Sequence, residues 1–273
     1  MSRLDPKASS TTVTKALQIL DLLGEEGKEL GLSDCARRLR MNKSTVYRLL
    51  NTLKQCGYVR QNPNNEKYFL GMQVFRLALS LWKGIGLAEL AEPHLRSLAA
   101  ESGETVNLVV LDQGDCLYVK TIEGAQSVRM VAHIGMRDCL HSVSAGKAIL
   151  AHLPKAEAVD ILREQGMPKR TERTISDELA LFRHPDEVRN RGYSIDNEEN
   201  EEGCSCVGAP VFDASGRPNA AISIAGPTFR LTESRIDELG GKVATTARRI
   251  SEELQQRGIR VSPRNPGSNP TNP

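Results

Sequence analysis

The stretch that decides the fold of the N-terminal part is Lys43-Ser44-Thr45-Val46-Tyr47-Arg48-Leu49-Leu50-Asn51-Thr52-Leu53-Lys54-Gln55-Cys56-Gly57. Val46, Leu49, Leu50, Leu53 and Cys56 recur at helical spacing and make one apolar stripe. Ser44, Tyr47, Arg48, Asn51 and Gln55 make the opposite stripe, which is polar and free of acids. Asn42 or Ser44 can cap the start, and Gly57 suits the residue after the helix, where a left-handed backbone is common. A helix that reads base edges needs such a face, because donors and acceptors read bases while phosphate repels carboxylates.

Working outward, Thr12 to Glu25 reads as a first helix, with Val13, Ala16, Leu17, Leu20 and Leu23 on one face. A second helix follows with Ser33 as N-cap and Asp34 in its first turn, and runs to about Leu39. Two helices joined by the turn Arg40-Met41-Asn42 make a helix-turn-helix. Beyond Gly57, residues 58–60 and 67–70 read as short strands around a Pro/Asn-rich turn, the wing of a winged helix. Lys43, Ser44, Thr45, Tyr47, Arg48, Asn51, Arg60 and Lys67 are the candidate DNA-binding residues. Ser44, Thr45, Tyr47 and Arg48 are expected in the major groove, and Lys43, Arg60 and Lys67 on phosphates.

The charge distribution agrees. Of 273 residues, 26% are charged and the net charge is only +2. Residues 1–72 hold 12 Lys/Arg against 7 Asp/Glu, while the remainder is mildly acidic. A basic head on an acidic body suggests a polyanion-binding unit joined to a unit with another task. No apolar run approaches the ~20 residues of a spanning helix, and no secretory h-region opens the chain. Six scattered cysteines fit reduced thiols in a cytoplasm better than a disulfide scaffold.

Residues 71–84 are apolar almost all round and read as a buried linker helix, covered by another subunit or by the body. The expected organisation is a disordered tail over 1–11, a winged helix over 12–71, a linker over 72–86, a second domain over 87–258 and a disordered tail over 259–273. In the second domain a helix is expected over 87–102, with Pro93 in its first turns or kinking it. Strands are expected at 105–111, 116–120, 128–131, 207–212 and 220–225. Ser144 opens a helix, and Thr232 caps a long final one. Hairpin strands flanked by helices indicate an antiparallel α+β domain.

Gly146-Lys147 is not a phosphate loop, since His141 and Ala148 occupy positions that need Gly and Ser/Thr. Cys204, Cys206, Cys139 and His141 could supply metal ligands, but C-x-C is not a usual zinc spacing and buried thiols are commoner. No metal site, catalytic set or cofactor is therefore expected. The acidic run 196–202 reads as a solvated loop. What remains is a pocket: small residues at 144–146 opening a helix whose free N–H groups suit an anion, Lys147 adding positive charge, Ser144 and Ser223 offering hydroxyls, and Met130 and Cys206 offering walls.

These residues are also recognisable together. From about Thr12 to Leu254 the chain resembles the IclR family of bacterial transcription regulators. The resemblance rests on residues 32–39, residues 43–50, Leu53, Gly57-Tyr58-Val59, residues 67–71, Gly103-Glu104-Thr105-Val106, Gly146-Lys147-Ala148, Arg191-Gly192-Tyr193, Asp196, residues 206–210, Ile222-Ser223-Ile224, Gly226-Pro227 and Arg230-Leu231-Thr232. It implies a winged helix followed by a GAF-like effector domain. It further implies homodimers through the DNA-binding heads, often paired into tetramers, and a pseudo-palindromic double-stranded operator. Residues 169–175 and 196–199 look most like the sugar-acid-responsive, pectin-degradation-type subgroup, which answers to acids such as 2-keto-3-deoxygluconate. Met130, Asp138, Ser144, Ala145, Asp196, Cys206 and Ser223 are the implied effector contacts. The implied function is a cytoplasmic, effector-responsive regulator of catabolic genes, as a repressor, taking a small sugar or keto acid. The competing readings are a small-molecule enzyme with an appended winged helix, and a structural DNA-binding protein without a ligand.

Overall fold

A computed structural model describes residues 10–182 and 185–261, with the side chains of 80–85 and of 185 excepted. The chain divides into a head ending at Gly84 and a body beginning at Ile85.

The head has three helices, α1 (Thr11–Glu26), α2 (Leu32–Arg38) and α3 (Lys43–Gln55), then a hairpin of β1 (Val59–Gln61) and β2 (Tyr68–Leu70). Ile19, Leu22, Leu23, Leu30, Cys35, Val46, Leu50, Val59 and Tyr68 are its core. The end of α3 follows the expected chemistry. The Tyr58 N–H donates to the Leu53 carbonyl at 2.9 Å and the Gly57 N–H to Lys54 at 3.0 Å, with Gly57 left-handed at φ +79°. That closure delivers the chain straight into β1. Gly71 is needed for a different reason. A Cβ there would lie 2.1 Å from the Gly57 carbonyl oxygen, so the exit of the hairpin passes directly over the end of α3.

Several local expectations are corrected. The N-cap of α2 is Gly31, and Ser33 lies inside the helix. In α1 the buried face is Ile19, Leu22 and Leu23, while Val13 and Leu17 are exposed, because the N-terminal turns have no head core to cover them. Cys56, placed on the apolar stripe, is exposed as the C-cap of α3. Ser10 and Thr11, assigned to a tail, start α1: the Thr14 N–H donates to the Ser10 carbonyl at 3.0 Å. The rest of that tail lies outside the described residues.

The linker helix α4 spans Met72–Ile85. Met72, Phe75, Leu77 and Leu79 are 65%, 54%, 49% and 41% exposed, so this face is not buried by the described residues, against the expected burial. The Trp82 side chain lies outside the described residues.

The body contains α5 (Leu87–Ser102), β3 (Thr105–Asp112), β4 (Asp115–Ile122), β5 (Arg137–Cys139), α6 (Ser144–His152), α7 (Lys155–Gln165), α8 (Glu178–Leu181), α9 (Pro185–Arg191), β6 (Ser194–Asn197), β7 (Cys204–Val211), β8 (Ala220–Pro227) and α10 (Glu233–Gln256). The strands form one antiparallel sheet in the order β5-β4-β3-β8-β7-β6. Helices α5 and α10 pack on it, and α6 packs over β6, β7 and β8. Val109, Cys116, Tyr118 and Ala221 point to the α6 side, with Leu140, Ala145 and Ile149. Strand alternation sends Leu108, Val110, Ile222 and Ile224 to the other face.

The expected strand at 128–131 is absent. Its carbonyls are taken by side chains instead: Thr105 Oγ1 donates to Met130 O at 2.7 Å, and Arg230 Nη2 donates to Val128 O at 2.7 Å. The sheet edge is made by β5. Pro93 lies in the second turn of α5, as expected. Residues 259–261, expected to begin a disordered tail, are docked. The Val261 N–H donates to Asp213 Oδ2 at 3.1 Å, the Ala214 N–H donates to Ile259 O at 2.9 Å, and Val261 is 2% exposed. Residues 262–273 lie outside the described part.

Candidate functional site

On the head, the polar stripe of α3 faces outward. Lys43, Ser44, Tyr47 and Arg48 are exposed, and Thr45 and Asn51 are half-buried at its base. Arg60 and Lys67 are exposed on the two wing strands or their edge, and the Arg60 guanidinium stacks 6.0 Å from the Phe69 ring. No side-chain hydrogen bond or salt bridge to a described residue engages Lys43, Arg48 or Lys67. The helix and wing are tied together: Lys54 Nζ donates to Gln61 Oε1 at 3.0 Å, and Gln61 Nε2 donates to Glu66 O at 3.1 Å. Two surfaces carrying free donors are thereby held as one unit, as groove and phosphate contacts require.

In the body, Met130, Asp138, Ser144, Ala145, Asp196, Cys206 and Ser223 all line one cleft, with about 530 Å³ of empty space counting its open mouth. The register explains the convergence. Asp196 pairs with Cys206 and Cys206 with Ala225, and two residues along the strands Ser223 pairs with Asn107, so two neighbouring rows across β6, β7, β8 and β3 lie on the same face. Helix α6 supplies Ser144 and Ala145. Its N-cap, Val143, has no side-chain acceptor to give, which leaves the first N–H groups without a cap. Gly208 lets α6 descend onto the sheet, since a Cβ there would lie 2.7 Å from the Ala145 nitrogen.

Asn107 was missed by sequence reasoning. It is buried in the cleft wall, and its Oδ1 has no partner. The signal was present: an amide inside the apolar strand Val106-Asn107-Leu108-Val109-Val110 faces something polar or carries a cost. Tyr118 was also missed. Its hydroxyl donates to Asp138 Oδ2 at 3.1 Å, and Arg170 approaches Oδ1 of the same carboxylate at 3.5 Å.

The acidic run is not the solvated loop expected. Asp196 and Glu199 are buried. Asp196 Oδ1 accepts the Glu199 N–H at 2.8 Å, closing the loop on itself. Thr171 Oγ1 donates to Glu198 O at 2.7 Å, and Thr174 Oγ1 donates to Glu199 O at 2.6 Å. The two stretches that suggested the sugar-acid subgroup are thus in contact. Lys147 is also corrected. It pairs with Glu199 and lines a neighbouring groove, so it gives the cleft no free charge.

Burial pushes the Asp196 carboxyl up to about 7, opposed by the Lys147 charge and the Glu199 N–H. Burial also raises Asp138, against the pull of Tyr118 and Arg170. The Cys204 and Cys206 sulfurs are 3.7 Å apart in the same wall. Among the described residues, no three His, Cys, Asp or Glu side chains converge as a metal site would need. Acceptors and hydroxyls of Asn107, Asp138, Ser144, Asp196 and Ser223 are set among apolar walls, which suits a ligand carrying hydroxyl donors.

Family models decide the identity. The bacterial transcriptional regulator IclR C-terminal domain matches residues 80–252, and the IclR helix-turn-helix domain matches residues 12–63. The chain belongs to the IclR family. The HTH-type transcriptional regulator KdgR of Escherichia coli is 39% identical over 90% of this chain and 93% of its own length. The transcriptional repressor IclR of Escherichia coli is 34% identical over 88% of each chain. The crystal structure of Thermotoga maritima IclR superposes with a TM-score of 0.74 at 33% identity, covering 89% of this chain and 98% of that one. This IclR-family member is therefore a DNA-binding transcription regulator, with a winged helix-turn-helix head and an α+β effector-type body. Its family and relatives are regulators, not enzymes. Among the described residues, no helix is long and apolar enough to cross a membrane.

Proposed function

We propose that this regulator is a cytoplasmic repressor of catabolic genes, released from a pseudo-palindromic operator by a small hydroxylated sugar or keto acid that it binds without turnover. The reading is supported above all by the cleft. Seven residues implied by resemblance, drawn from β5 to β8, α6 and the 123–134 segment, meet around one cavity with an unpartnered Asn107 oxygen in its wall. A concave cleft with apolar walls and several convergent polar groups is the usual form of a small-ligand site.

In this account the ligand carboxylate lies at the opening turn of α6, on the N–H groups of Ser144 and Ala145. Ser223 and Asn107 bond ligand hydroxyls, Met130 and Cys206 supply walls, and Asp138 and Asp196 accept from hydroxyls. On the head, Ser44, Thr45, Tyr47, Arg48 and Asn51 read base edges, while Lys43, Arg60 and Lys67 hold phosphates. The exposed Met72, Phe75, Leu77 and Leu79 of α4 support a homodimer, with tetramers as pairs of dimers. The test is a thermal-shift panel of gluconate, 2-keto-3-deoxygluconate, glyoxylate and benzoate, followed by product analysis. A shift with a hydroxylated acid and no product supports the reading. A shift only with benzoate, no shift at all, or turnover overturns it.

A further inference from the structure

Glu29 stands out on the head, since it is an acid beside the basic wing. Its carboxylate accepts from Asn62 Nδ2 at 2.8 and 3.1 Å and from Asn65 Nδ2 at 2.8 Å. The other ends of both amides are in use as well. Asn62 Oδ1 accepts the Asn64 N–H at 2.9 Å, and Asn65 Oδ1 accepts the Lys67 N–H at 2.9 Å. A relay therefore runs from Glu29, in the loop between α1 and α2, to the backbone of Lys67. Next to it, Leu30 and Tyr68 exchange backbone hydrogen bonds at 2.9 and 2.8 Å. The turn being held is strained, because Glu66 is left-handed at φ +57° without being glycine. Such a residue persists only where its surroundings over-determine it, and such places cluster at binding sites. The two asparagine amides pull the Glu29 carboxyl below its ordinary range, so it is ionised at neutral pH and strengthens both bonds.

We propose that Glu29 is a positioning residue for DNA binding, a clamp that fixes the wing turn so that Lys67 meets the phosphate backbone. This rests on the reading of the wing as a phosphate contact. The sign of the effect separates it from the simpler alternative. An acid near DNA that does nothing else repels phosphate, so its removal tightens binding. A clamp tightens binding while it is present.

The experiment measures fluorescence anisotropy of the full chain on a 40-base-pair duplex of arbitrary sequence across a salt series, with melting temperatures alongside. Lys67→Ala should weaken binding and reduce the salt slope by about one. Glu29→Ala should weaken binding roughly 3–10-fold and reduce the slope by a similar amount. The double variant should be little worse than Lys67→Ala, since both remove one contact. Glu29→Gln, which keeps one acceptor and drops the charge, should fall between wild type and Glu29→Ala. Asn65→Ala, at an exposed site that threatens folding less, should reproduce Glu29→Ala. Tighter or unchanged binding by Glu29→Ala, or full additivity with Lys67→Ala, overturns the clamp while leaving the wing reading in place. An unchanged slope in Lys67→Ala overturns both.

Discussion

Asp196 shows how far a single residue's role depends on where the chain places it. The sequence offers it as one acid in a run of them, whereas the fold puts it in the cleft wall at 1% exposure. Its folded pKa, about 7, lies above its ordinary value near 3.8. The folded protein therefore keeps a proton that the unfolded chain loses. The stability this gives is full below about pH 4 and is lost as pH rises through about 7. Asp138 acts in the same direction. Asp196→Asn, which stays neutral, should lose less stability than wild type between pH 5 and pH 8. Urea melts should show the gap widening by about 1–4 kcal/mol over that range. A pH-independent gap would show that Asp196 is already ionised in the folded state. At this scale the sequence was legible for placement where side-chain chemistry stands alone, with Arg48 on an outward face and Ser223 in the cleft wall. It was less legible where burial changes the chemistry, as at Lys147, Glu199 and Asn107.

Elements were legible in proportion to their length and periodicity. Helix α3 has 13 residues and a clean stripe, and its Gly57 stop matches the left-handed closure found. Strands β3, β7 and β8 are eight-residue apolar runs, close to the stretches expected. Strands β5 and β6 have three and four residues and carry an acid each, so nothing in their pattern separates them from loop. Valines at 128 and 131 imitate a strand, but the neighbouring edge is filled by β5. Gly208 illustrates an element-level constraint visible only in three dimensions. Gly208→Ala must push α6 off β7, since its Cβ would sit 2.7 Å from backbone. The variant should be destabilised by ~1–3 kcal/mol, the range for overpacking a well-filled interior, as read by urea denaturation. Stability equal to wild type would mean that α6 yields freely, and that the opening turn of the helix is not rigidly placed.

For the whole molecule, the division into a basic head and a mildly acidic body was legible from charge and periodicity, and the head ends at Gly84 within the helix read as a linker. What could not be read was the surroundings of α4. Its composition demands burial, yet among the described residues Met72, Phe75, Leu77 and Leu79 stay exposed. A second copy is the simplest cover, and sedimentation velocity at micromolar concentration should show a dimer or larger species. Phe75→Glu should shift that distribution toward monomer. A wild-type monomer would leave α4 without an explanation.

In the proposed function, a small hydroxylated acid in the body cleft controls binding of the head to DNA. The most direct measurement is anisotropy of the full chain on a duplex taken from upstream of its own gene, titrated with 2-keto-3-deoxygluconate and gluconate, for wild type and Ser144→Leu. Ser144 is 1% exposed at the cleft wall, so leucine there fills the site. At least one acid should weaken wild-type binding, while Ser144→Leu should bind the duplex and ignore the acid. Loss of binding to the same extent in both proteins, or no response from wild type to either acid, would contradict it.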